Sequence, residues 1–255
     1  MSTDKKLVAS CSFGKDSLAA IITAEEHGHH IDEALYCRIM FDDKISAELP
    51  EHEDFIHNKA IPLLWSRYGI RTTIVQADVT YCDMFFKKAQ KGKNAGIIYG
   101  FPVRCGPWCN TYLKVRPIKN KQKEIGQYTA VVGIAADETE RIKRQTVSDA
   151  LLPLVEYNIT EADAFGICSR GGCLSPAYNN GRTRLGCWFC HNQRIGELRR
   201  LRKEYPELWA RLLEMDKISP RPFTQRVTLQ QFDERFATED AQLSIFDFID
   251  KEVHD

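Results

Sequence analysis

Two stretches of this chain carry residue types that could do chemistry. The first is Ser12-Phe13-Gly14-Lys15-Asp16-Ser17, where a short apolar run, Leu7 to Cys11, gives way to a helical pattern opening at Asp16. A turn of small residues lets backbone N–H groups approach an anion. The start of a helix adds four unpaired donors and about half a positive charge. Lys15 supplies a full charge, Ser12 and Ser17 supply hydroxyls, and Ser10 flanks the turn. Asp16 can cap the helix or help hold a cation. With the backbone of Phe13 and Gly14, these residues make a candidate phosphate-binding turn. It is not the Walker pattern, which needs two glycines flanking four residues before Lys-Ser/Thr. An ordinary strand–turn–helix junction with capping residues would use the same residue types.

The second stretch is Cys187-Trp188-Phe189-Cys190, which has the spacing of a metal knuckle. The chain holds nine cysteines, and in a reducing compartment these read as thiols or metal ligands rather than disulfides. Zinc and iron–sulfur sites take four ligands. Cys105, Cys109, Cys168 and Cys173 are candidates for the other two. Structural Zn²⁺, a 4Fe–4S cluster and inert buried thiols all remain open on spacing alone. Cys11, Cys37 and Cys82 lie on or beside apolar strands and read as core, and His191 reads as exposed.

The elements that must position these residues follow from apolar periodicity. Leu7–Cys11, Ala34–Ile39, Thr72–Ala77 and Tyr128–Ile134 read as strands, with Leu151–Val155 as a candidate fifth. Asp16–Gly28, His52–Tyr68, Asn110–Gly126, Arg194–Lys203 and Pro206–Met215 read as helices, with Pro62 and Pro117 as irregularities. Alternation of strand and helix implies an α/β fold, a doubly wound parallel sheet whose ligands sit at the carboxyl ends of its strands. The expected organisation is an α/β domain over 1–158 that carries the candidate phosphate-binding turn, a Cys-containing helical C-terminal subdomain over 159–237, and an acidic tail over 238–255.

Lys+Arg and Asp+Glu number 35 each, so the net charge is zero and non-specific coating of nucleic acid is not expected. Only a local patch could serve, drawn from Lys87, Lys88, Lys91 and Lys93, from Arg182 and Arg184, or from Arg194, Arg199, Arg200, Arg202 and Lys203. Ordinary solvated faces would read the same way. No apolar run approaches the roughly 20 residues of a membrane span, and the first residues lack a secretory signal, so a cytoplasmic location is expected.

The turn Ser12–Ser17 resembles the PP-loop of the adenine nucleotide α-hydrolase superfamily, which includes ATP pyrophosphatases and phosphoadenosine-phosphosulfate (PAPS) reductases. Glu48-Leu49-Pro50, Cys109 with Lys114 and Pro117, Gly133-Ile134-Ala135-Ala136-Asp137-Glu138 with Arg141, and Gly186-Cys187 through Cys190 are similar, in order, to segments of the PAPS-reductase-like group. The resemblance covers about residues 5 to 215. It implies ATP, or a related adenine nucleotide, bound with Mg²⁺ and cleaved at the α-phosphate to adenylate an unidentified acceptor or support sulfur transfer. Lys15, Asp16 and Arg141 would be catalytic. Ser10, Ser12, Phe13, Gly14, Ser17, Lys114, Gly133, Asp137 and Glu138 would bind the nucleotide and its cation. The metal set that fits the resemblance best is Cys109, Cys168, Cys187 and Cys190. Two departures weigh against sulfonucleotide reduction itself: Ala135 stands where the reductases carry arginine, and no Cys follows Cys190. The alternatives are a genuine PAPS or adenylyl-sulfate reductase, and a non-catalytic nucleotide- or nucleic-acid-binding module. Gln242-Leu243-Ser244-Ile245-Phe246 resembles the peptide by which bacterial proteins dock on the DNA sliding clamp, which would tie the chain to DNA metabolism.

Overall fold

A computed structural model describes residues 5–145, 149–179, 181–224 and 226–252, without the side chains of 243–252. Four parallel strands form one sheet: β1 (Lys6–Ser10), β2 (Glu33–Arg38), β3 (Arg71–Gln76) and β4 (Tyr128–Val132). Their spatial order is β3-β2-β1-β4. The chain therefore steps outward from β1 to β3 and then returns past β1 to lay β4 on its other side. Right-handed crossovers in opposite directions put their helices on opposite faces of the sheet. This makes the fold α/β and doubly wound, as the alternating pattern predicts. The strand order reverses between β1 and β4, the kind of position where open α/β sheets bind ligands.

Helix α1 (Lys15–Glu26) follows β1 and is buried almost throughout, from Ser17 to Ala24. Its apolar residues Leu18, Ile21 and Ile22 share one core with Ala9, Ala34, Tyr36 and Val131 of the strands and with Ala164 and Cys168 of the helix Glu161–Arg170. Asp32 clamps the start of β1: its carboxylate accepts from the Leu7 amide at 2.8 Å, and its own amide donates to the Leu7 carbonyl at 3.0 Å.

The expected helix over 52–68 is Pro50–Phe55 and Ile61–Tyr68 joined by a π-helical turn, Ile56–Ala60. Pro62 explains the interruption, since it lacks an N–H and its ring crowds the carbonyl four residues back; a wider turn relieves both. Pro117 produces the same result, with a π-turn over Asn110–Val115 before the helix Arg116–Ile125.

The expected fifth strand is not one. Leu151 makes a single parallel bridge to Val131, and Pro153 opens a short helix, Pro153–Glu156. A proline suits the first helical turn and cannot donate to a ladder.

The chain divides into two units, Met1–Thr80 with Thr111–Cys187, and Tyr81–Asn110 with Trp188–Asp255. The division differs from the expected boundaries, because 159–187 belongs with the sheet and 81–110 belongs with the C-terminal helices. The second unit has an aromatic core in which Tyr81 packs on Trp108 and Phe189, and Phe101 on Phe85 and Phe223. Its helices are Ile195–Glu204, Pro206–Ile218 and Leu229–Glu252. The expected tail is thus helical in its backbone as far as Glu252. The side chains of Leu243 to Phe246, on which sliding-clamp docking would depend, lie outside the described residues. Arg199 and Arg202 of the basic helix pair with Asp240, and Arg202 also pairs with Asp233, so that helix is in large part neutralised by its neighbour. Among the described residues no helix is long and apolar enough to cross a membrane.

Gly133, just after β4, meets the first turn of α1. A Cβ there would lie 2.5 Å from the Asp16 carbonyl oxygen and 2.8 Å from the Ser17 Cα, closer than the 3.0 Å that real Cβ atoms keep. Gly133→Ala is expected to force β4 and α1 apart and to cost about 1–3 kcal/mol in urea unfolding; an unchanged midpoint would refute this packing.

Candidate functional site

The site is built on the turn between β1 and α1. Gly14 is the N-cap of α1 in extended conformation, and Phe13 before it takes the left-handed region at φ 56°. That conformation is costly for a bulky residue and persists only where the surroundings over-determine it. Here the Phe13 ring is fully buried edge-on against Tyr36, with centroids 5.2 Å apart. Phe13 therefore anchors the turn through its side chain and presents its backbone to a ligand, as expected from the sequence. Ser17 closes the turn. Its hydroxyl donates to the Gly14 carbonyl at 2.9 Å and accepts from the Ser12 amide at 3.3 Å. Ser12 is exposed, and Ser10 ends β1 opposite Leu35 and Val132.

Lys15 is buried, and its Nζ pairs with Asp16 at 2.6 Å and Glu161 at 3.3 Å. Its amide donates to the Tyr178 hydroxyl at 3.1 Å, so one of the unpaired donors of the helix start is met by a phenol. Burial pushes the Asp16 carboxyl up, opposed by the Lys15 ammonium and reinforced by Glu161 and Glu138. Two carboxylates therefore hold the ammonium, and Glu138 lies within electrostatic reach of one of them, Asp16.

The segment after β4 places its residues differently from one another. Glu138 accepts from the Ala135 amide at 3.1 Å and pairs with Arg141 at 3.0 Å, leaving Arg141 exposed. Asp137 accepts from the Glu161 amide at 3.0 Å and so caps the helix that carries Glu161. Lys114 is exposed and lies within electrostatic reach of Cys37 and Glu48.

The four-cysteine metal set gains no support from the structure. Among the described residues no group of three or more His, Cys, Asp or Glu side chains is placed to hold a metal ion. Cys168 is a core thiol whose Sγ donates to the Lys15 carbonyl at 3.2 Å, and its hydrogen bond with Cys173 and its burial push the thiol up. It supports the turn from below. Cys187 belongs to the sheet unit, and Cys109 and Cys190 to the other. Burial and the neighbouring Cys190 push the Cys109 thiol up to about 11. His191, read as exposed, is buried.

Sequence reading passed over Tyr178, Glu161 and His52. His52 is buried with Nδ1 2.9 Å from the Ser175 hydroxyl, is hydrogen-bonded to the Ser12 backbone, and has Nε2 3.8 Å from Glu48. Of these only Glu161 left a trace in sequence, since Thr160 and Asp163 have the spacing of a capping box, which the structure forms.

No family model matches the chain. Over 217 residues it is 25% identical to an uncharacterised protein of Methanocaldococcus jannaschii, a match covering 80% of this chain and 40% of that protein. The chain thus spans less than half the length of this curated relative. A solved phosphoadenylyl-sulfate (PAPS) reductase from Candida auris, in its phosphate complex, is similar at a TM-score of 0.47 and 13% identity, covering 73% of this chain and 83% of that one.

Burial pushes His52 down from 6.5 to about 4 and pushes Glu48 up from 4.5 to about 7, the latter reinforced by Glu53. Neutral His52 contributes stability that is full above 6.5 and is lost as pH falls towards 4. Protonated Glu48 contributes stability that is full below 4.5 and is lost as pH rises towards 7. Between 4.5 and 6.5 the two slopes oppose each other, each at most ~1.4 kcal/mol per pH unit. Relative to the parent, His52→Gln is expected to lose stability as pH rises through this window and Glu48→Gln to gain it. Urea unfolding at several pH values checks the signs, and parallel profiles for all three proteins would refute them.

Proposed function

We propose that this chain is an enzyme that binds ATP, or a related adenine nucleotide, with Mg²⁺ at the Ser12–Ser17 turn. It would cleave the nucleotide between the α- and β-phosphates and place the adenylyl group on an acceptor, directly or in support of sulfur transfer. The observation that carries this reading is the position of the turn. A serine- and glycine-containing loop with one lysine opens a helix at the carboxyl end of β1, beside the reversal of strand order between β1 and β4. Backbone amides and a helix start at such a position suit a phosphate.

The surrounding charges favour a nucleotide that arrives with its cation. Asp16 and Glu161 pair with a single buried ammonium, and both Glu138 and Glu161 act on Asp16. A bare triphosphate would be repelled by them, whereas a hard divalent cation takes carboxylate and phosphate oxygens together. Asp16 and Glu138 are the residues that would hold it, and Mg²⁺ when bound supplies neutralisation of the phosphate oxygens. Lys15 and the first amides of α1 would then stabilise the charge that builds on departing pyrophosphate, a term that depends on donors already in place. Tyr178, now on the Lys15 amide, would yield that donor to a phosphate oxygen or contact the oxygen itself.

With Mg²⁺, the parent is expected to bind ATP in calorimetry and to form AMP and pyrophosphate in equal amounts. Lys15→Ala, checked for folding by far-UV dichroism, is expected to lose about a hundredfold in AMP formation. ADP and phosphate as products, or no heat with any adenine nucleotide, would overturn this function.

A further inference from the structure

Beside the turn, at the carboxyl end of β2, lies a second set of buried polar groups. Tyr36 is 1% exposed and its hydroxyl has no hydrogen-bond partner among the described residues. The Nε of Arg38 in the same strand is also buried and unpartnered, although the guanidinium is ion-paired with Glu53. The Tyr36 hydroxyl is within electrostatic reach of Glu48, Glu53, Arg38 and Cys187. Buried donors and acceptors in native proteins nearly always have a partner, so two orphans in one cluster point to a missing ligand or water.

The cluster is tied to the phosphate turn at two points. The Tyr36 ring packs on Phe13, and His52, 3.8 Å from Glu48, is hydrogen-bonded to the Ser12 backbone. The groups facing Glu48 come from three elements. They are His52 and Glu53 from the helix Pro50–Phe55, Tyr36 from β2, and Lys114 from the π-turn Asn110–Val115.

Resting on the adenylation reading, we propose that this cluster is the acceptor subsite. In it the nucleophile is a neutral hydroxyl or amine held by the Tyr36 hydroxyl, and Glu48 is the base that takes its proton. Glu48 and Glu53 together disfavour an anionic carboxylate acceptor, which would need no base. In the step, the acceptor oxygen or nitrogen forms a bond to the α-phosphorus as the bond from that phosphorus to the bridging oxygen breaks. Pyrophosphate leaves with that electron pair, and the proton of the acceptor passes to a Glu48 carboxylate oxygen. A carboxyl held near neutrality by burial is suited to exchange a proton at working pH.

The test uses the full chain with Mg²⁺ and ATP, water serving as the hydroxylic probe, and follows AMP formation between about pH 5 and 9. Binding of α,β-methylene ATP is measured alongside by calorimetry. The parent is expected to show a rate that rises with pH through one inflection near 7. Glu48→Gln is expected to bind the analogue within about threefold of the parent, to lose about a hundredfold or more in rate, and to lose the inflection. Tyr36→Phe is expected to keep the inflection at a lower rate. If Glu48→Gln retains both rate and inflection while the parent binds and cleaves ATP, the acceptor subsite is overturned and the nucleotide reading stands. If Glu48→Gln loses analogue binding, the cluster contacts the nucleotide and the acceptor subsite is again overturned. If the parent neither binds the analogue nor forms AMP, both readings fall.

Discussion

The contact on which the site depends is the approach of the end of β4 to the first turn of α1. Gly133 brings backbone against the backbone of Asp16 and Ser17 with no room for a side-chain carbon. Strand and helix are thereby locked together where the strand order reverses, and the phosphate turn is set against a rigid wall rather than on a mobile loop. Ser17 then closes the turn onto Gly14, Cys168 supports the Lys15 carbonyl, and the buried ring of Phe13 holds a backbone conformation that would otherwise be strained. Each of these is a fixed neighbour of the same few residues, which is how a short polar turn acquires one geometry.

Charge around the turn is arranged as competition. Lys15 is buried between Asp16 and Glu161, and a buried ammonium is tolerated only when paired. An anion entering the turn must replace those carboxylates as the partner of the ammonium, or share them through a divalent cation. The pairing therefore favours a ligand that brings positive charge with its phosphates and disfavours simple anions. A second balance lies one strand away, where His52 and Glu48 sit side by side in a buried network. Burial penalises the charged form of each, so the pair is most comfortable neutral, and the network changes character when Glu48 ionises.

The second unit shows how a chain of zero net charge can still carry a densely basic helix. Arg199 and Arg202 are met by Asp233 and Asp240 of the helix Leu229–Glu252, and Asp233 also accepts from the Trp209 indole N–H at 2.7 Å. The charges are spent on joining helices, and what sequence shows as separate basic and acidic stretches is in this structure one packed interface within the unit.

The amino-acid sequence by itself determined what depends on neighbours along the chain. Apolar runs marked the four strands, the turn chemistry marked Ser12–Ser17 at the start of α1, and Pro62 and Pro117 marked where helices widen, because periodicity, capping and a missing N–H act within a few residues. It misread Leu151–Val155, where Pro153 outweighed the apolar pattern, and its spacing left open the place of Cys168, which packs in the core with Cys173. Only the tertiary structure decided which distant residues complete the site. Tyr178 reaches the Lys15 amide across 163 positions of sequence and Glu161 reaches its ammonium across 146. His52 stands under Ser12, and Tyr36 under Phe13. These pairings arise from strand order and from helices packed on the sheet. No local pattern encodes them, because the free energy that selects them belongs to the burial of the whole core rather than to any one segment.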